Sequence, residues 1–315
     1  MPVAVACVFG VLLAASMRLP GLGAGEGPSE AALRLPSAIA GALGTGLAAL
    51  VAAELAGPVA AFWAGGLIAL SPIYTLASRE ATPEAPLVLI LLLALWLVVR
   101  VEASGRNVDA TALGLAVGGL AVSGVAAFAA VAILLPAWAA LSRERRGVAL
   151  LAALVALAMT AAAGVFGLAR SPFDYGDIPP WMPATTLAGV VRCTGASFTR
   201  VVGLEYHLAV SQARYVLPLL ALFVVLMLRG AARLPARTRG LLVAGTLLPF
   251  AFGAAMALIT GRVTPLQANR LLAALPFVAV LMATSLASLR GTRAWAAGTT
   301  VAGTLVAFLA LALAR

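Results

Sequence analysis

The stretch LLAALPFVAVLMATSLASL, residues 271–289, contains no charged side chain. An apolar run of this length can cross a bilayer as a helix, because about 20 residues span the hydrocarbon core. Such runs, continuous rather than alternating, favour helices over a barrel. We therefore predict an all-α polytopic integral membrane protein with about 11 transmembrane helices, in a range of about 9 to 12. The ten further runs lie at 2–17, 35–56, 58–77, 85–99, 110–122, 124–141, 148–168, 208–228, 241–259 and 294–314.

The composition excludes an ordinary soluble protein. Of the 315 residues, 63% are hydrophobic and 10% are charged, whereas soluble domains are about 45–50% apolar and about 25% charged. The apolar runs leave no room for a separate soluble domain, so we predict that residues 1–315 form a single transmembrane domain. Residues 1–17 lack the positive n-region of a signal peptide, so we interpret them as the first membrane helix of this domain.

Arginine sets the predicted orientation. The net charge is +10, but all basic residues are Arg scattered between apolar runs, which is typical of topology signals and lipid-headgroup contacts rather than nucleic-acid binding. One set of alternate loops holds 11 Arg in 32 residues and the other holds eight in 78. The positive-inside rule makes the first set and the N-terminus cytoplasmic. The inner loops are 100–109, 142–147, 229–240 and 290–293, and the outer ones are 18–37, 78–85, 169–207 and 260–270.

No resident cofactor is predicted. Cys7 and Cys193 lie in different segments, and the sequence contains no CxxC spacing, HExxH motif or Walker A loop. Most acidic residues nevertheless fall in the predicted outer loops. A divalent cation held by those carboxylates therefore stays open as an alternative.

Three motifs follow one another along the chain. LRLPSAIAG (33–41) opens one apolar run, SPIYTLASREATPEAPLVLILLLALWLVVR (71–100) joins the next two, and TPLQANRLLAALPFVAVL (264–281) opens a later one. Their order and spacing resemble the polytopic glycosyltransferases of the GT-C superfamily that use polyprenyl-phosphate sugars. These include the protein O-mannosyltransferases, the aminoarabinose transferases of lipid A and the Rgt-type envelope enzymes.

The resemblance implies a GT-C-like helical core and an inverting hexosyl or pentosyl transferase. Such an enzyme moves a sugar from a polyprenyl-phosphate donor to an envelope glycan, lipid or protein on the outer face of a bacterial-type plasma (inner) membrane. A carboxylate takes the proton of the acceptor hydroxyl. Arginine holds the departing lipid phosphate, because its planar fork matches phosphate geometry.

The resemblance also places the candidate site residues. The catalytic carboxylate belongs to the first outer loop, where GLGAGEGPSEAALRLPS (21–37) offers Glu26, the preferred candidate, and Glu30. Glu30 also fits an ordinary acid at a helix N-terminus. The substrate-binding candidates, each of which also fits an interfacial anchor or ion cluster, are Arg34, Arg79, Glu80, Glu84, His207, Arg262 and Arg270.

Two other functions remain in competition. The first outer loop has about twenty residues and no acidic pair, whereas the related enzymes have a longer loop with an acidic motif. A truncated or degenerate relative that binds lipid or a partner without catalysis is therefore the main alternative. A transporter or flippase-like carrier ranks third, because the sequence lacks clear polar midplane helices and symmetry between halves.

Overall fold

The structure is a computed structural model that describes residues 3–4, 7–8, 11–12, 28–79, 84–120, 145–165, 187–201, 213–260, 270–289 and 292–313. These residues form helices and no strand, which confirms the predicted all-α class. The helices are α1 (Pro28–Ala56), α2 (Pro58–Leu70), α3 (Pro72–Arg79), α4 (Glu84–Ser104), α5 (Asn107–Gly119), α6 (Arg146–Val165), α7 (Leu187–Val201), α8 (Ala213–Arg233), α9 (Ala236–Thr260), α10 (Leu275–Ser288) and α11 (Thr292–Leu313), with a 3-10 turn (Arg270–Ala274) before α10.

Four of the described segments are long and apolar enough to cross a membrane. They are Arg34–Ala56, Glu84–Ser104, Ala236–Ile259 and Leu271–Ser288, and the bent pair α2–α3 makes a fifth if it counts as one span. The larger predicted number of about eleven spans stays a prediction. The predicted run 124–141 lies outside the described residues, and α7 falls within the segment predicted as the outer loop 169–207.

The predicted run 58–77 is not one straight helix. It breaks at Ser71, and α2 and α3 meet there at an angle of 59°. Pro72 explains the break, because proline has no N–H to continue the helix and forces the preceding residue into extended backbone. Ser71 has φ −62° and ψ 115°, as this rule requires. The hydroxyl of Thr75 donates to the carbonyl oxygen of Ala69 at 3.1 Å and satisfies one of the acceptors that the break releases.

Two glycines end helices at the same end of the molecule. Gly57 follows α1 with φ 86°, and Gly105 follows α4 with φ 63°. Glycine is favoured at such helix ends, because a side chain is strained at positive φ. The N–H groups of Gly57 and Gly105 each donate to the carbonyl oxygen four residues earlier at 2.9 Å, so both helix ends are hydrogen-bonded.

The centre of the fold is α10. Every residue from Leu271 to Leu286 is buried, and α10 packs against α1, α2, α4, α8, α9 and α11. A helix that is apolar on all sides is expected either in a core or in lipid. The structure shows that this one is enclosed by other helices.

Three of the four predicted inner loops meet in space. Glu102 and Arg237 form an ion pair with Nη1 and Oε1 3.4 Å apart, which joins loop 100–109 to loop 229–240. The guanidinium of Arg145 packs directly on Gly105, which joins loop 142–147 to the same end. The meeting of these three loops agrees with their assignment to one side of the membrane as alternate loops. Which side of the membrane this end faces stays a prediction.

A glycine contact in the core gives a stability prediction. On α8, Gly230 lies so close to the backbone carbonyl of Leu281 on α10 that a Cβ atom would collide with it. We expect Gly230→Ala to lower the free energy of unfolding by about 1–3 kcal/mol, because the two backbones must move apart. Thermal unfolding in detergent measures the change.

The matched control is Gly240→Ala. Gly240 lies in α9, is exposed, and has open space where a Cβ would sit. Removing backbone freedom there is expected to stabilise the protein by about 0.5–1 kcal/mol. Equal melting temperatures for the two variants would show that α8 and α10 are not packed as closely as described.

Candidate functional site

Tyr74 holds α3 against α1. Its side chain is fully buried, and its hydroxyl donates to the carbonyl oxygen of Ala40 at 3.5 Å. The Tyr74 hydroxyl also lies against Gly44, where a Cβ atom would collide with it. The buried ring and the glycine opposite it therefore fix the position of the short helix that ends at Arg79.

The first and fourth helices run side by side in the same direction. The Cα of Leu89 on α4 is 3.8 Å from the point where a Cβ on Gly44 of α1 would lie. Further along both helices, the Trp96 Nε1–H donates to Glu54 Oε1 at 2.9 Å. The earlier residue of α1 meets the earlier residue of α4, and the later residue meets the later one. The two helices are therefore parallel and begin at the same end of the molecule.

Arg79 and Glu84 both lie at that end. Arg79 is five residues beyond Tyr74, and Glu84 is five residues before Leu89. At 1.5 Å per residue, each is about 7.5 Å along its own helix from the residue that contacts Gly44. Arg34 is ten residues before Gly44, or about 15 Å away along α1.

We call this end, defined by Arg34, Arg79 and Glu84, the predicted outer end. All three side chains are half-buried, and the Oε2 atom of Glu84 is buried. The Ser78 hydroxyl donates to the carbonyl oxygen of Tyr74 and strengthens the last turn before Arg79. The structure therefore brings two arginines and one carboxylate to the same end of the α1–α3–α4 unit.

Arg270 begins the 3-10 turn before α10. The next four residues, 271–274, are buried, and the turn packs against α4, α7 and α9. Leu281 contacts Gly230 near the end of α8, whereas Leu275 lines a small cavity with Ser71 at the base of α3. The chain from Leu281 back to Arg270 thus runs toward the predicted outer end.

Several sequence candidates cannot be placed. Glu26, Glu80, His207 and Arg262 lie outside the described residues, and of Glu30 only the backbone is described, as the third residue of α1. Among the residues that the structure does describe, no group of three or more His, Cys, Asp or Glu side chains could hold a metal ion. The candidate divalent cation on outer carboxylates stays untested.

Sequence reasoning missed two features of this end. The first is the buried Tyr74, which lies inside the quoted motif SPIYTLASRE. The available signal for its packing role was an aromatic side chain between the Ser-Pro break and Arg79. The second is α7, which packs on the 3-10 turn of Arg270 and on α9. The rings of Phe198 on α7 and Phe250 on α9 meet edge to face with centroids 5.5 Å apart.

Comparison with known families identifies the chain. The family model described as dolichyl-phosphate-mannose-protein mannosyltransferase matches residues 6–166, more than half of the chain. The chain belongs to this family. The protein is therefore a multi-pass membrane glycosyltransferase of the mannosyltransferase type. A search of curated proteins finds no significant match.

The family match includes most of the candidate site. Residues 6–166 contain the first outer loop with Glu26 and Glu30, and the helices that carry Arg34, Arg79 and Glu84. Arg262, Arg270 and His207 lie beyond it. Members of the family take their sugar from a polyprenyl-phosphate-linked donor and give it to a glycan or protein acceptor.

Proposed function

We propose that this mannosyltransferase-family protein transfers a hexose or pentose from a polyprenyl phosphate to an envelope acceptor on the outer face of the membrane. The observation that carries the proposal is the gathering of Arg34, Arg79 and Glu84 at the end where the first outer loop enters α1. That loop holds the candidate bases Glu26 and Glu30. Cations for a phosphate and a carboxylate for a hydroxyl proton are the two groups that this transfer needs.

The proposed reaction is a single displacement with inversion. The acceptor hydroxyl oxygen forms a bond to the anomeric carbon as the bond from that carbon to the phosphate oxygen breaks. The hydroxyl proton passes to the carboxylate of Glu26, or of Glu30 as the alternative, and polyprenyl phosphate leaves. The displacement requires no oxidant or reductant, and a divalent cation on the outer carboxylates stays open as an alternative.

The phosphate is proposed to bind Arg79 and Arg270. Arg79 is the last residue of α3, which precedes α4 and packs against it. Arg270 begins the 3-10 turn, which also packs against α4. Arg34 and Arg262 are further candidate phosphate ligands. Glu80 and Glu84, which follow Arg79 in the sequence, are proposed to bind sugar hydroxyls, and His207 is proposed to orient the acceptor.

Donor turnover tests the function. Purified protein in proteoliposomes is supplied with polyprenyl-phosphate hexoses and pentoses, and release of polyprenyl phosphate is followed with an envelope extract as acceptor source. We expect release from at least one donor, and none from a Glu26→Gln, Glu30→Gln double variant. Glu102→Gln, which removes a carboxylate at the opposite end, is the matched control and should keep the activity.

The same assay separates the enzyme from the competing non-catalytic relative. A folded protein that binds polyprenyl phosphate but releases none from any donor would favour the relative that lacks catalysis. Uptake or exchange of the donor across the bilayer without bond cleavage would favour the carrier.

The outward orientation gives a separate prediction. After Cys7 and Cys193 are replaced by Ser, a cysteine in place of Gly176 should react with a membrane-impermeant maleimide added outside intact cells, because loop 169–207 carries few Arg for its length. A cysteine in place of the exposed Gly240 is the paired control and should react only after the membrane is opened. The reversed pattern would put the proposed site on the wrong side.

A further inference from the structure

A cleft of about 550 Å³ lies at the end of the molecule opposite Arg79. It is bounded by the last turns of α1 and α4 and by the first turn of α9. Its walls are mainly apolar and include Leu55, Val98, Val99 and Leu241. A volume of this size falls within the ~300–1,000 Å³ range of pockets that bind small molecules.

The mouth of the cleft carries charge. Glu102 and Arg237 line it and pair at 3.4 Å, with the Arg237 side chain 61% exposed. A guanidinium has five N–H donors, so one exposed carboxylate leaves it able to bind a second anion. Arg239, two residues further along α9, is exposed but does not line the cleft.

The surroundings of the cleft are strongly basic. The three predicted inner loops that meet at this end hold nine Arg but only three acidic residues, Glu102, Asp109 and Glu144. The residues that begin α9 at Ala236, Arg237 and Thr238 also line the cleft. A helix N-terminus adds a partial positive charge to that of the arginines.

The position of the cleft limits what can occupy it. Its walls belong to α1, α4 and α9, three of the helices that are long and apolar enough to cross the membrane. The ends of such helices lie at the level of lipid headgroups. A molecule with a charged head and an apolar chain is available there in the bilayer itself.

We propose that this cleft is a binding site for an anionic phospholipid. One acyl chain lies on the apolar walls of Leu55, Val98 and Leu241, and the phosphate binds Arg237 at the first turn of α9. Charge complementarity selects an anionic headgroup over a zwitterionic one, because the excess of arginine favours a net negative ligand. The site is separate from the proposed donor site, so it does not rest on the proposed function.

Native mass spectrometry of the delipidated full-length protein tests the site. We expect one phosphatidylglycerol to bind at least about tenfold more tightly than phosphatidylcholine, and an Arg237→Ala variant to lose this preference. Ala103→Trp, at an exposed position that lines the cleft, should weaken the same binding while Arg237 remains. Arg229→Ala removes an exposed arginine on α8 away from the lining and is the matched control.

Several outcomes would overturn the proposal. Equal affinity of the wild-type protein for the two lipids would show that lipid binds around the helices without selectivity. This comparison requires no variant. Unchanged phosphatidylglycerol binding in both Arg237→Ala and Ala103→Trp would place the lipid elsewhere. Displacement of phosphatidylglycerol from the cleft by an equal amount of polyprenyl phosphate would make it a donor site instead.

Discussion

Glu26→Gln is expected to lower the rate of sugar transfer by about 10²–10⁴-fold, the usual contribution of a general base. The amide keeps the size and most of the hydrogen bonding of the carboxylate but cannot accept the acceptor's proton. Donor affinity should stay nearly unchanged, because the base acts on the acceptor hydroxyl in the transition state. Single-turnover transfer and equilibrium donor binding, measured on the same preparation, separate the two effects.

Glu30→Gln is the paired variant. A loss at Glu30 alone would move the base by four residues, about one helical turn, and keep the mechanism. Full activity in both single variants and in the double variant would exclude a first-loop carboxylate. The base would then have to be sought at Glu80 or Glu84, beside Arg79.

Arg79→Ala and Arg270→Ala are each expected to weaken binding of a polyprenyl-phosphate sugar by about 1.5–3 kcal/mol, the contribution of a hydrogen bond to a charged group. This corresponds to a dissociation constant roughly 10- to 150-fold higher. Lysine at either position should recover only part of the affinity, because it lacks the planar fork that binds two phosphate oxygens. Titration with the labelled donor in detergent measures the constants.

Arg146→Ala is the control for charge alone. Arg146 is exposed at the start of α6, beside the Arg145 that packs on Gly105 at the end opposite Arg79. Its loss should leave donor affinity unchanged. Unaltered affinity in both the Arg79 and Arg270 variants would show that these arginines only anchor helix ends in the membrane.

The sequence predicts the class of fold well but not which helix is central. The run 271–289 is as apolar as its neighbours, and hydropathy measures transfer out of water without distinguishing lipid from protein. Only the structure shows that α10 is enclosed by other helices. Close contacts such as Gly230 against Leu281 depend on backbone approach between distant segments, which no local pattern encodes.

The run 58–77 was predicted as one span and its break at Ser71 was missed, although proline at position 72, which cannot continue a helix hydrogen bond, was the available signal. The 59° angle between α2 and α3 could not be predicted from the sequence, because the position of α3 depends on the contact of Tyr74 with Gly44 on another helix. The pairing of Glu102 with Arg237, 135 residues away, was equally inaccessible. Three of the four loops that the sequence assigns to one side do meet at one end, and the side of the membrane that this end faces stays a prediction.

The residues of the candidate site could be predicted from the sequence, but their positions relative to one another could not. The motifs around Arg34 and Arg79 identified the family by resemblance, and the family match over residues 6–166 agrees with it. Residue type and order do not give depth in the membrane. The placement of Arg79 and Glu84 at the same end of the molecule follows only from the contacts of Tyr74 and Leu89 with Gly44.

The most direct test of the account is an electron cryomicroscopy structure of the full-length protein with a bound polyprenyl phosphate. We predict a phosphate within about 4 Å of the guanidinium of Arg79 or Arg270, at the end that also carries the first outer loop with Glu26. The phosphate of polyprenyl phosphate bound instead at the opposite end, beside Glu102 and Arg237, would contradict the account.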